Sequence, residues 1–215
     1  AVHSGCKRIL LGLGGSATND GGCGCAAALG VGFLDADGQS FVPVGDTLGR
    51  IARIDTAKAD ELFRSVKITV MCDVTNPLYG PTGAAYVFAP QKGADAEKVK
   101  NLDAGLRHFG DVIRSQLGID VSRMPGAGAA GGMGAGCVAL LGGMIQSGID
   151  AVLDVTGFDR QLEGADLVIT GEGRIDSQSA GGKVISGVAR RTKAKGIPLI
   201  AIAGGIADSA GAVYD

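Results

Sequence analysis

From Asp95 onward, apolar residues recur at three- and four-residue spacing: Val99, Leu102, Leu106, Phe109, Ile113 and Leu117. One stripe along a helix of 3.6 residues per turn has that spacing. Gly118 supplies a C-terminal stop, so the pattern predicts a helix opening at Asp95, with His108 off the stripe and in solvent. Elsewhere apolar positions cluster in short runs closed by glycine or proline, the mark of buried strands. These are Lys7–Leu13, Val66–Val74, Asp166–Thr170 and Pro198–Ala203. Gly22–Leu29, Lys58–Ser65, Cys137–Leu141 and Lys183–Lys195 read as helices. Val31–Leu34 and Ser40–Val44 flank Asp35-Ala36-Asp37-Gly38, which reads as a hairpin with glycine at its turn. Strand, glycine loop, helix is the repeating unit. It predicts an α/β fold with parallel strands and a ligand at their carboxyl ends.

Composition narrows this picture. The 215 residues are 46% hydrophobic and 20% charged, which is too apolar for disorder and enough for one large or two small units. Net charge is −2, and the only basic cluster, Arg190-Arg191-Thr192-Lys193-Ala194-Lys195, reads as a solvated helix end. Nucleic acid is therefore not the expected partner. No apolar run approaches a membrane span and no signal peptide is visible, so a soluble cytoplasmic protein is expected. Cys6, Cys23, Cys25, Cys72 and Cys137 form no C-x-x-C pair and are expected to be buried reduced thiols. With only His3 and His108, a histidine-based nucleophilic engine has little to work with. The 38 glycines are about twice the usual share, and they cluster where a backbone would approach a ligand.

Two familiar phosphate motifs fail. Gly12-Leu13-Gly14-Gly15-Ser16-Ala17 matches G-x-G-x-x-A after a strand, with Asp35 placed to meet a ribose hydroxyl. A dinucleotide turn runs straight into a helix, however, and Asn19-Asp20-Gly21-Gly22 interrupts this one. At Gly182-Lys183 a P-loop would need a glycine five positions before Gly182 and Ser or Thr after the lysine; neither is present. What remains is a set of acids at strand ends: Asp20, Asp73 beside Asn76, Glu172 and Asp176. Their strand ends are expected to share one face of a parallel sheet, so the acids would converge. Carboxylates with glycine loops and Lys/Arg suit Mg²⁺-dependent phosphoryl transfer.

Four long stretches then carry a resemblance: GLGGSATNDGG (12–22), CDVTNPLYGPTGAAYVFAPQKGA (72–94), PGAGAAGGMG (125–134) and DLVITGEGRIDSQSAGGK (166–183). In this order the chain resembles bacterial glycerate kinase of the first type. The resemblance implies ATP- and Mg²⁺-dependent phosphorylation of D-glycerate, giving 2-phosphoglycerate. It also implies an α/β fold with a Rossmann-like parallel-sheet lobe and a second mixed α/β lobe. Residues 1–164 would form the middle lobe and 165–215 part of the Rossmann-like lobe. The chain matches the middle and later parts of such an enzyme, without its N-terminal segment and a short C-terminal portion. A truncated inactive fragment or a non-catalytic hydroxy-acid module is the alternative, and a homodimer is an allowed assembly. Asp73 is expected to take the hydroxyl proton, with Asp176 second and Asp20 at the mouth of the cleft, contacting substrate or metal. Lys92, Arg174 and Lys183 are candidates for carboxylate or phosphate. Gly14, Gly15, Ser16, Asn19, Asn76, Gly128, Gly131 and Gly132 are candidate substrate or phosphate contacts, and Glu172 and Asp176 candidate metal ligands.

Overall fold

The computed structural model describes residues 1–175 and 184–207. The chain divides into two units, residues 1–146 and 147–215. The first runs β1 (Arg8–Gly12), α1 (Cys23–Ala28), β2 (Gly32–Leu34), β3 (Arg53–Asp55), α2 (Ala57–Phe63), β4 (Lys67–Met71), α3 (Ala84–Phe88), α4 (Ala96–Leu117), α5 (Ala129–Leu141) and β5 (Met144–Gln146). Three of its strands are parallel, in the order β1, β4, β5. β4 takes the centre because Ile68, Thr69 and Val70 are all buried, as a strand covered on both faces requires. Gly12 pairs with Met71, and the Leu13 amide donates to the Met71 carbonyl at 3.0 Å. The loops after β1 and β4 therefore leave the sheet side by side.

The long helix forms as its stripe predicts. Asp95 caps α4 by accepting from the Lys98 amide at 2.8 Å, and Gly118 ends it at φ 71°. Val99, Leu102, Leu106, Phe109 and Ile113 are buried in the core. His108 is a correction: it is half-buried, with Nε2 2.7 Å from the Ile51 carbonyl, and so ties α4 to the chain before β3. The hairpin is a second correction. Its turn forms, with the Gly38 amide donating to the Asp35 carbonyl at 3.0 Å, but the returning chain makes only a Leu34–Ser40 bridge. Pro43 then stands where a continuing strand would need an amide, and β2 pairs instead with β3, antiparallel, Phe33 opposite Ile54.

In the second unit come α6 (Gly148–Thr156), α7 (Phe158–Gln161), β6 (Val168–Glu172), α8 (Val184–Ala194) and β7 (Leu199–Ala203). β6 and β7 are parallel and form their own two-stranded sheet. The division falls after Gln146 rather than at 164/165 for a visible reason. Arg190 of α8 pairs with Asp150 of α6, and Arg191 with Asp154 and Asp159 of α6 and α7. These pairs keep α6 and α7 with the second sheet. The expectation of one shared sheet is corrected: the strands before Asp20 and Asp73 share a sheet, whereas Glu172 ends a strand of another.

Candidate active site

Asp20 organises the loop after β1. Its Oδ1 accepts from the Gly22 amide (3.0 Å) and its Oδ2 from the Gly24 amide (3.1 Å), so both carboxylate oxygens fold the chain into α1. No helix starts between Gly12 and Cys23, which removes the dinucleotide geometry. Asp35 is equally committed: its Oδ1 accepts from the Asp37 and Gln39 amides, and its Oδ2 pairs with Arg50 at 3.0 Å.

The second glycine-rich stretch lies behind this loop. Ala130, Gly131 and Gly132 are all left-handed (φ 52°, 70° and 92°) at the start of α5. A side chain on Gly131 would collide with the Thr18 carbonyl and come within 2.7 Å of Asn19 Cα. Its carbonyl accepts from the Gly21 amide at 3.0 Å. The Gly128 amide donates to the Asn76 carbonyl and the Gly132 amide to the Gly128 carbonyl. Gly128, Gly131 and Gly132 are buried and let one backbone press against another, and the Gly128 and Gly132 amides are spent within the protein. Asn76 too is spent locally, its Nδ2 donating to the Thr82 carbonyl at 2.8 Å. Gly14 and Gly15 remain exposed at the sheet edge.

Lys92 reaches this loop from the 3₁₀ turn Pro90–Lys92. Its Nζ donates to Ser16 Oγ (2.9 Å) and to the Thr18 carbonyl (2.6 Å). Burial holds its pKa below the usual lysine value, and the Asp20 charge offsets part of that shift. Among the described residues no carboxylate lies within salt-bridge reach of it. Beside it, Asn19 is 9% exposed, and neither its Oδ1 nor its Nδ2 has a hydrogen-bond partner. Asn19, Asp20 and Lys92 line a cavity of about 360 Å³, closed by Val44–Asp46 and by Lys98 and Leu102 of α4. Lys98 pairs with Asp46 across its rim.

Ser16, Asn19, Asp20 and Lys92 are thus brought together. Thr18, Asp46 and Lys98 are additions the sequence reading missed; Lys98 was visible in the first turn of α4, but its partner lies 52 residues away without a local signal. Asp73 is exposed, two residues beyond the Gly12–Met71 pair, on the edge from which Gly14 and Gly15 also emerge. Glu172, half-buried at the end of β6, and exposed Arg174 lie in the second unit. Asp176 and Lys183 fall outside the described residues. Among those described, no three His, Cys, Asp or Glu side chains stand close enough to hold a metal ion. The thiols offer no nucleophile here: burial pushes Cys23 up and Cys137 to about 12. Cys6 and Cys25, expected inside, are exposed. Among the described residues, no helix is long and apolar enough to cross a membrane.

A half-buried ammonium with no carboxylate in salt-bridge reach among the described residues, lining a small cavity beside a parallel sheet, defines an α/β protein suited to a small anion. The comparisons with known proteins agree on which one. The glycerate kinase family model matches residues 1–215. The glycerate kinase of Bacillus cereus is 51% identical over 215 residues, all of this chain and 56% of that protein. The glycerate 2-kinase of Escherichia coli is 46% identical over 214 residues, again 56% of its length. The crystal structure of a protein assigned as glycerate kinase 2 from Salmonella typhimurium LT2 superposes with a TM-score of 0.83 at 43% identity, covering 96% of this chain and 57% of that one. The chain belongs to the glycerate kinase family, and it spans a little over half the length of these relatives.

Proposed function

We propose that this chain contributes the acid-binding site of an ATP-dependent kinase that converts D-glycerate to 2-phosphoglycerate. The observation that carries the reading is Lys92: an ammonium half-withdrawn from water, anchored on Ser16 and Thr18, near enough to Asp20 to feel its charge but with no carboxylate in salt-bridge reach among the described residues. Glycerate supplies the missing carboxylate. The name of the Escherichia coli relative, glycerate 2-kinase, points to the 2-hydroxyl as acceptor. An alcohol is un-ionised at neutral pH, so a base must take its proton as the phosphoryl group arrives. Asp73 fills that role, two residues beyond β4 on the sheet edge from which exposed Gly14 and Gly15 also emerge, their amides offered to the transferring phosphoryl group.

The nucleotide end of the reaction belongs to Arg174 and Lys183, cations suited to phosphate. Mg²⁺ neutralises phosphate charge during such transfers. It commonly binds through one or two carboxylates plus substrate phosphates, which suits Glu172 and Asp176 better than a three-ligand cage. A cytoplasmic location follows from dependence on ATP. The test is an assay coupling ATP consumption to D-glycerate in the full-length protein, alongside Asp73→Asn. Turnover by the parent, with a loss of about 10²–10⁴-fold in the variant, is expected. A parent inert toward small hydroxy acids contradicts the function, and a variant within a few-fold of the parent removes Asp73 from the chemistry.

A further inference from the structure

The structure places a buried carboxamide with no hydrogen-bond partner, Asn19, on the wall of the cavity that Lys92 faces. A buried amide left unpaired typically costs a fold about 1–3 kcal/mol, which is why such groups are rare in native interiors. Here the carboxamide has no partner among its neighbours: Asp20 accepts from the Gly22 and Gly24 amides, and Lys92 gives two of its three donors to Ser16 and Thr18. The backbone on either side is pinned, at Thr18 by Lys92 and at Gly21 by the Gly131 carbonyl. Asn19 is thus held at the cavity by its loop while its polar atoms are left for something else.

The chemistry of that partner is constrained. A carboxamide offers donors on nitrogen and an acceptor on oxygen. A carboxylate or phosphate oxygen can use only the donors, whereas a hydroxyl both gives and takes. The charged side chains on the cavity wall, Lys92 and Lys98 against Asp20 and Asp46, balance, which suits a monocarboxylate better than a polyphosphate. We propose that Asn19 is a specificity-determining residue that binds the hydroxyl of the acid that is not phosphorylated. Resting on the functional reading above, in which the 2-hydroxyl accepts the phosphoryl group, this is the 3-hydroxyl of D-glycerate. Lys92 holds the carboxylate, and Asp20 is a positioning residue that shapes the loop.

D-Lactate is D-glycerate without its 3-hydroxyl, and 3-hydroxypropionate is D-glycerate without its 2-hydroxyl. The experiment is calorimetric binding of all three acids to the full-length protein and to its Asn19→Leu and Asn19→Ala variants, with the melting temperature of each protein recorded without ligand. One or two lost hydrogen bonds correspond to about 10–100-fold in affinity. Both variants should weaken D-glycerate and 3-hydroxypropionate by that factor and leave D-lactate within about threefold. The near-isosteric Asn19→Leu should melt at or above the parent temperature, because it removes an unpaired buried amide. A side chain with only a structural role would lower the melting temperature and weaken all three acids alike. Equal losses for the three acids, unchanged glycerate affinity, or variants that fail to fold overturn the proposal. A parent that binds and phosphorylates glycerate while Asn19 does not discriminate sinks this inference alone; a parent that does neither sinks the functional reading with it.

Discussion

Lys92 shows how one half-buried side chain carries a pH signature. Its pKa lies below the ordinary lysine value because burial disfavours the ammonium, so in the free protein the charge is lost at lower pH than for an exposed lysine. A bound carboxylate favours the charged form and raises the pKa again. Affinity for glycerate is therefore full below the depressed pKa and declines as pH rises through it, beginning under the ordinary lysine range. Lys92→Arg keeps its charge throughout, so the alkaline rise in the glycerate KM should vanish in that variant. A rise that persists unchanged would assign the titration to another group. At this scale the sequence was informative wherever chemistry is local. Ser16, Asn19 and Asp20 stand out as polar residues within a glycine-rich run, and Lys92 as a cation between Pro90 and Gly93. That Lys92 meets Ser16 across 76 residues of chain is written in no local pattern. That both oxygens of Asp20 accept from amides of its own loop likewise depends on geometry that composition does not contain.

Among the elements, α4 and β2 mark the limits of pattern reading. The helix was legible because stripe, cap and stop lie within one stretch, from Asp95 to Gly118. The partner of β2 was not, because β3 is three residues long with only Ile54 buried, too short for any period to show. β5, Met144–Gln146, escaped likewise. The left-handed start of α5 makes a sharper test. At Gly131 an added methyl meets the Thr18 carbonyl as well as an unfavourable φ. Gly131→Ala should therefore lose at least about 2 kcal/mol in denaturant unfolding and weaken the acid site that Thr18 helps to build. Ala130 already bears that conformation at φ 52°. Ala130→Gly should be neutral to stabilising by up to about 1 kcal/mol, the backbone relief outweighing the added freedom of the unfolded chain. The reverse order of the two variants would mean that the left-handed segment does not brace the loop.

For the molecule as a whole, the two units differ in how much they enclose. The first buries a continuous core between its parallel sheet and α4, and the candidate acid site lies wholly within it. Among its described residues the second carries two parallel strands, with Ile169 and Ile202 more than 60% exposed, although parallel sheets are normally covered on both faces. The repeating unit of strand, glycine loop and helix predicted parallel strands correctly. It could not say that they divide between two sheets, since strand partners are chosen by long-range packing. Glycerate binding in the first unit's cavity is the premise on which the rest depends. Steady-state kinetics of Lys92→Ala in the full-length protein, with D-glycerate and ATP varied separately, test this most directly. A fall of about 10²–10³ in kcat/KM for D-glycerate is expected, the scale of losing a positioned charge, with the KM for ATP within threefold of the parent. Glycerate kinetics within a few-fold of the parent, or a loss confined to ATP, would contradict it.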